Sequence, residues 1–133
     1  MSENVSRRPR AERAARMAPL AVLPVFLKLK GRRVVVAGGS EAAVWKAELL
    51  AAAGAEVAVY AEDPCTGMLD LAEAPPAGSI ALHHRAWTAA DLRGAAFAIG
   101  AFEEDADAAA FAAAARAAGV PVNVIDKIGR AHV

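Results

Sequence analysis

The chain has one cysteine in 133 residues, Cys65, which leaves no partner for an internal disulfide and no CxxC pair for zinc binding or thiol exchange. A lone thiol fits a reducing compartment, and the expected location is the cytoplasm. Hydrophobic residues make up 56% of the sequence, but alanine inflates that fraction, and no apolar run approaches the roughly 20 residues that span a bilayer. A membrane protein is therefore not expected. The first eighteen residues also lack the apolar core of a secretory signal. There is no net charge, and five of the fifteen basic residues (Arg7, Arg8, Arg10, Arg13 and Arg16) sit in that same short arm, so the body is mildly acidic. With aromatics at 5% and no aromatic-basic surface in the body, a nucleic-acid-binding function is excluded. His83 and His84 are neighbours on an expected strand, so their side chains point to opposite faces and no metal site is expected. No internal repeat is visible, and the length suits one domain.

Against these absences stands one organised stretch, Val34 to Lys46, VVVAGGSEAAVWK. Three β-branched residues lead into the small turn Ala37-Gly38-Gly39-Ser40, and a helix-forming run starts at Glu41. A strand, a tight turn and a helix N-terminus in that order present free backbone N–H groups and the positive end of a helix dipole, the natural seat of a phosphate or pyrophosphate. The form is G-x-S-x-x-A, from Gly38 to Ala43, and lacks one glycine of the dinucleotide fingerprint G-x-G-x-x-G/A. The expected cofactor contacts are Gly38, Gly39, Ser40, Glu41 and Ala42. A plain tight turn is the competing reading.

In chain order, residues 1–18 read as a flexible basic arm, and Pro19 to Leu29, PLAVLPVFLKL, as an apolar segment packed along the sheet edge. Strands are expected at 33–37, 56–60, 80–84, 96–101 and 122–125. The first helix, 41–53, is closed by Gly54. Pro64 opens a short helix through Met68 and Leu71, and Pro75, Pro76 and Gly78 mark a loop. Thr88 caps a one-turn helix before Gly94. The helix at 105–118 carries acids in its first turn and Arg116 in its last, as a helix dipole favours. Alternating strands and helices define an α/β fold, a Rossmann-like parallel five-stranded sheet of order 3-2-1-4-5 with helices on both faces, over residues 19–127.

Ligands of such sheets lie beyond the carboxyl ends of the strands. That rule selects Glu62 and Asp63 after the second strand, Phe102 and Glu103 after the fourth, and Asp126 after the fifth. Glu62 stands where an acidic residue meets the ribose hydroxyls, and no basic residue follows nearby, which favours NAD over NADP. Capping of the turn at Pro64 explains Glu62 and Asp63 equally well. Asp126 taken alone reads as a loop or cap residue. Trp45, with Leu49 four residues on, reads as packing, and Lys46 as a solvated helix lysine.

Three ordered motifs carry a family resemblance: Leu23 to Phe26 (LPVF), Val36 to Lys46 (VAGGSEAAVWK) and Asn123 to Asp126 (NVID). Over residues 23–127 the chain resembles the N-terminal dehydrogenase domain of siroheme synthase, the precorrin-2 dehydrogenase and sirohydrochlorin ferrochelatase family. It departs from the family pattern at Ser40, which replaces a glycine, and at Ala101 to Glu104, AFEE, where many members have A-T-D-D. The resemblance implies NAD-dependent oxidation of precorrin-2 to sirohydrochlorin, with ferrous iron as a further substrate and a homodimer as the assembly. It makes Asp126 the catalytic residue and assigns Asn123 to substrate binding through its amide, although a mid-strand asparagine reads equally as a local hydrogen-bonding residue; no resident metal is implied. Residues 128–133, IGRAHV, match one translated frame of a common sequencing adapter and are set aside as an artefactual tail. The expectation is a truncated cofactor-binding half, inactive alone. The rival reading is a non-catalytic NAD-binding regulatory module, which needs no acid or base at Asp126.

Overall fold

The computed structural model describes residues 27–125 and 131–132. The elements run β1 (Arg33–Ala37), α1 (Glu41–Ala52), β2 (Glu56–Tyr60), α2 (Thr66–Glu73), β3 (Ser79–His83), α3 (Ala89–Leu92), β4 (Phe97–Ala101), α4 (Asp105–Ala117), β5 (Val122–Ile125) and β6 (Ala131–His132). The sheet order is β3-β2-β1-β4-β5-β6. The first five strands are parallel in the expected order 3-2-1-4-5, and β6 joins β5 antiparallel, Val124 facing His132 and Ile125 facing Ala131. That sixth strand was not expected, because residues 128–133 had been set aside.

Central β1 explains the architecture. Val34, Val35, Val36 and Ala37 are all fully buried, as a strand covered on both faces requires. Val34 and Val36 face a layer made with Ala43, Ala47, Leu50 and Ala51 of α1 and Met68 of α2. Val35 and Ala37 face the opposite layer, where Leu92 of α3 and Phe111 and Ala115 of α4 pack. Alanine at 43, 47 and 51 lets α1 lie close against the sheet, and its N-terminus comes to the carboxyl end of β1.

Trp45 and Leu49 do not take the expected packing role within the described core. Trp45 is 68% exposed and Leu49 60%, on the face of α1 opposite its alanines. In a helix as alanine-rich as EAAVWKAELLAA both faces read as apolar, so periodicity gives no contrast and the smaller side chains take the close-packed seam. The arm, the apolar segment through Phe26, and Asp126 lie outside the described residues.

Candidate functional site

The turn after β1 is threaded between two walls. The Gly38 N–H donates to the Tyr60 carbonyl (2.9 Å), and the Cys65 N–H donates to the Gly39 carbonyl (2.8 Å). Gly38 has φ +127, and a Cβ there would lie 2.5 Å from the Ala101 carbonyl oxygen. A Cβ on Gly39 would lie 2.6 Å from Pro64 Cα and 2.9 Å from Ala61 Cβ. Both glycines are thus fixed by the protein's own packing at the meeting of β1, β2 and β4.

Ser40 behaves differently. Its backbone (φ −80, ψ 174) suits any L-residue, and its hydroxyl oxygen accepts the Ala43 N–H at 3.4 Å as the N-cap of α1. The departure from the glycine triplet therefore replaces a close approach with a cap. The first-turn N–H groups of α1 beside it have no partner within the helix, which makes this the positive end of the site. Glu41 also stands in that first turn, but its carboxylate oxygens lie 3.4 Å from where a Cβ on Gly67 would sit, so the charge is turned toward the first turn of α2.

Two clefts meet over this turn and share Gly39, Asp63 and Phe102. The first, about 390 Å³, is bounded by Gly38, Glu62, Trp87 and Asp107 besides the shared residues, with Tyr60 and Ala61 beneath. The second, about 470 Å³, runs from Ser40, Glu41 and Ala42 past Cys65 to Glu103 and Ile125. Among the described residues their lining carries carboxylates and no lysine or arginine. An anion seated there is held by backbone N–H groups and the α1 dipole.

All seven residues expected to touch a cofactor (Gly38, Gly39, Ser40, Glu41, Ala42, Glu62 and Asp63) line one cleft or the other. Asn123 lines neither; it sits opposite Ile99 in the β4–β5 register, on the α1 side of the sheet with Ile125. Its Oδ1 is buried and has no hydrogen-bond partner among the described residues. Asp126 follows Ile125, the last residue of the second cleft's wall. No group of metal-ligating side chains occurs among the described residues. His83 stacks on Tyr60 instead, with ring centroids 4.7 Å apart.

The wall after β3 was missed. Trp87 meets Phe111 edge-on at 5.1 Å. It is held in the loop after β3 that also carries Arg85, whose guanidinium lies 4.9 Å over the Tyr60 ring. Applying the strand-end rule to β3 as well as to the other strands selects this loop.

A glycine turn feeding a helix N-terminus, between carboxylates that follow β2 and a cleft across the β1–β4 switch point, defines a Rossmann-like nucleotide-binding domain. A sequence family described as putative NAD(P)-binding matches residues 25–133, and the chain belongs to it. It is 40% identical over 104 residues to a siroheme synthase of Ectopseudomonas mendocina, covering 78% of this chain and 21% of the relative. Against a siroheme synthase of Methylococcus capsulatus the identity is 41% over 104 residues, with the same two coverages. The chain thus spans about a fifth of the length of these relatives. Among solved structures, the precorrin-2 dehydrogenase SirC matches 77% of this chain and 48% of its own, with a TM-score of 0.59 and 22% identity, a likeness of fold. No helix among the described residues is long and apolar enough to cross a membrane.

Proposed function

We propose that this domain binds NAD and carries out the oxidation of precorrin-2 to sirohydrochlorin within a siroheme-forming protein. The observation that carries the reading is the course of β5, which holds the described part of the NVID motif, Asn123 to Ile125. β5 brings Ile125 into the wall of the cleft that opens on the α1 N-terminus, and Asp126 is the next residue in the sequence. The cofactor fits the residues present. The turn and first helical N–H groups take the pyrophosphate, Glu62 and Asp63 take ribose hydroxyls, and Trp87 and Phe102 give the first cleft its apolar walls.

NAD is favoured over NADP because a 2′-phosphate would meet carboxylates after β2 and, among the described residues, no cation in the lining. When bound, the nicotinamide supplies a hydride acceptor. Oxidation of precorrin-2 removes a hydride and a proton, and Asp126 takes the proton as a carboxylate general base. Asn123 supports the substrate side of that loop through its amide. Ferrous iron is a further substrate in this reading, a homodimer is its assembly, and the cytoplasm is its location, where Cys65 stays a thiol.

The test is NADH appearance with precorrin-2, measured on the chain alone and fused to the remaining sequence of a siroheme synthase relative. Turnover in the fusion, lost on Asp126→Asn with NAD binding retained, is the expected result. Absence of turnover with both NAD and NADP would overturn the reading.

A further inference from the structure

Three of the four exposed large hydrophobic residues among those described belong to one layer of the molecule, and the fourth lies in sequence next to it. Trp45 (68% exposed) and Leu49 (60%) are one turn apart on α1, and Leu69 (41%) lies on α2, which packs beside α1 on the same face of the sheet. Leu27 (44%) is the fourth, two residues before Leu29, which is buried in the core of that same layer. The described residues begin at Leu27. What precedes it is Pro19 to Phe26, PLAVLPVF, an all-apolar run that in turn follows the arginine-rich arm.

The charges run in the same order. Around the exposed apolar residues, α1 and α2 present Glu48, Asp70 and Glu73 to solvent, with Lys46 the one basic residue on these two helices. The arm carries Arg7, Arg8, Arg10, Arg13 and Arg16. An apolar segment next to an apolar strip, and a basic arm next to acidic helices, are complementary in register along the chain. Reach is sufficient: eight extended residues cover about 26 Å, whereas the twelve residues of α1 are about 18 Å long.

We propose that residues 19–26 dock along the outer face of α1 over Trp45 and Leu49, and that the arginines before them pair with the acidic residues of α1 and α2. The strip is then an intramolecular seat, and the basic arm serves the fold. The apolar contact supplies most of the attraction, because exposed ion pairs add little each.

The experiment uses the whole chain with Trp87→Phe, which leaves Trp45 as the single tryptophan. Trp45 emission and acrylamide quenching are compared with and without the pair Leu23→Asp and Phe26→Asp. A blue-shifted emission that moves red on substitution, with a severalfold rise in quenching, is expected at all protein concentrations. Equal quenching in both chains overturns the proposal, as does protection that disappears on dilution, which would mean that a second copy covers the strip. If the aspartate pair unfolds the chain, Val22→Cys with Leu49→Cys in a Cys65→Ser background decides. An intrachain disulfide supports the seat, and its absence under oxidation refutes it.

Discussion

Arg85 grips Asp91 through two parallel hydrogen bonds, Nη1 to Oδ2 at 2.8 Å and Nη2 to Oδ1 at 2.9 Å. The same Asp91 oxygen Oδ2 accepts the Thr88 N–H at 2.7 Å and its hydroxyl at 2.9 Å, completing a capping box at α3. One carboxylate therefore ties the chain leaving β3 to the helix that returns it to β4, and the loop so fixed carries Ala86 and Trp87 into the first cleft. The Arg85 hydrogen bond, followed by those from Thr88, holds the Asp91 carboxyl well below the usual carboxylate range.

That relationship has a pH signature. A carboxyl with a lowered folded-state pKa contributes stability that is fully present above its unfolded value, about 3.9, and lost as pH falls toward the folded one. Asp91→Asn should therefore destabilise the domain at neutral pH, by about 1 kcal/mol for the weakened cap. The deficit should shrink below about pH 4. Denaturant unfolding at several pH values checks this. A deficit unchanged in acid would assign the effect to shape and not to charge.

The turn at β1 makes a prediction that separates Gly38 from Ser40. Gly38→Ala places a Cβ against the Ala101 carbonyl at a positive φ, so it should cost at least about 2 kcal/mol. Ser40→Ala should cost about 1 kcal/mol by removing the N-cap acceptor, and Ser40→Gly only a few tenths. Chemical denaturation of the three variants gives the ranking. If Ser40→Gly were the most damaging, the hydroxyl would have a role beyond capping.

The contrast between Gly38 and Ser40 also shows what was legible in the sequence. β1, β2 and β5 have the expected bounds because short apolar or β-branched runs between glycines and polar residues mark strands with little ambiguity. The β1–α1 turn and the carboxylates after β2 follow from topology alone, since strand ends must converge on one edge. The Arg85–Asp91 bond was hidden because its geometry depends on how the loop folds back and not on periodicity. That Trp45 lies outside the described core was not legible because residue size, invisible to an apolar pattern in an alanine-rich helix, decides which face packs on the sheet.

Cofactor choice rests on the lining charges. Titration should show tighter binding of NAD than of NADP. Glu62→Ala with Asp63→Ala should narrow the ratio, on the order of tenfold for removal of like-charge repulsion. NADP binding as tight as NAD to the unaltered chain would contradict the assignment of these residues to the ribose.

Asn123 offers the last prediction, because stability and function pull its side chain in opposite directions. Its Oδ1 is buried without a partner among the described residues, and an unmatched buried acceptor costs about 1–3 kcal/mol. Both strand neighbours on its face, Ile99 in register and Ile125 two residues on, are apolar. On packing grounds a β-branched apolar residue suits the position better. Asn123→Val should therefore leave the melting temperature equal or higher, while lowering turnover of precorrin-2 in the fusion protein if the amide serves substrate. NAD affinity should be unchanged, since Asn123 lines neither cleft. Calorimetry beside single-turnover kinetics separates the two effects. A clear fall in stability would place the amide's partner in the residues that follow Ile125 and give Asn123 a structural role in shaping that loop.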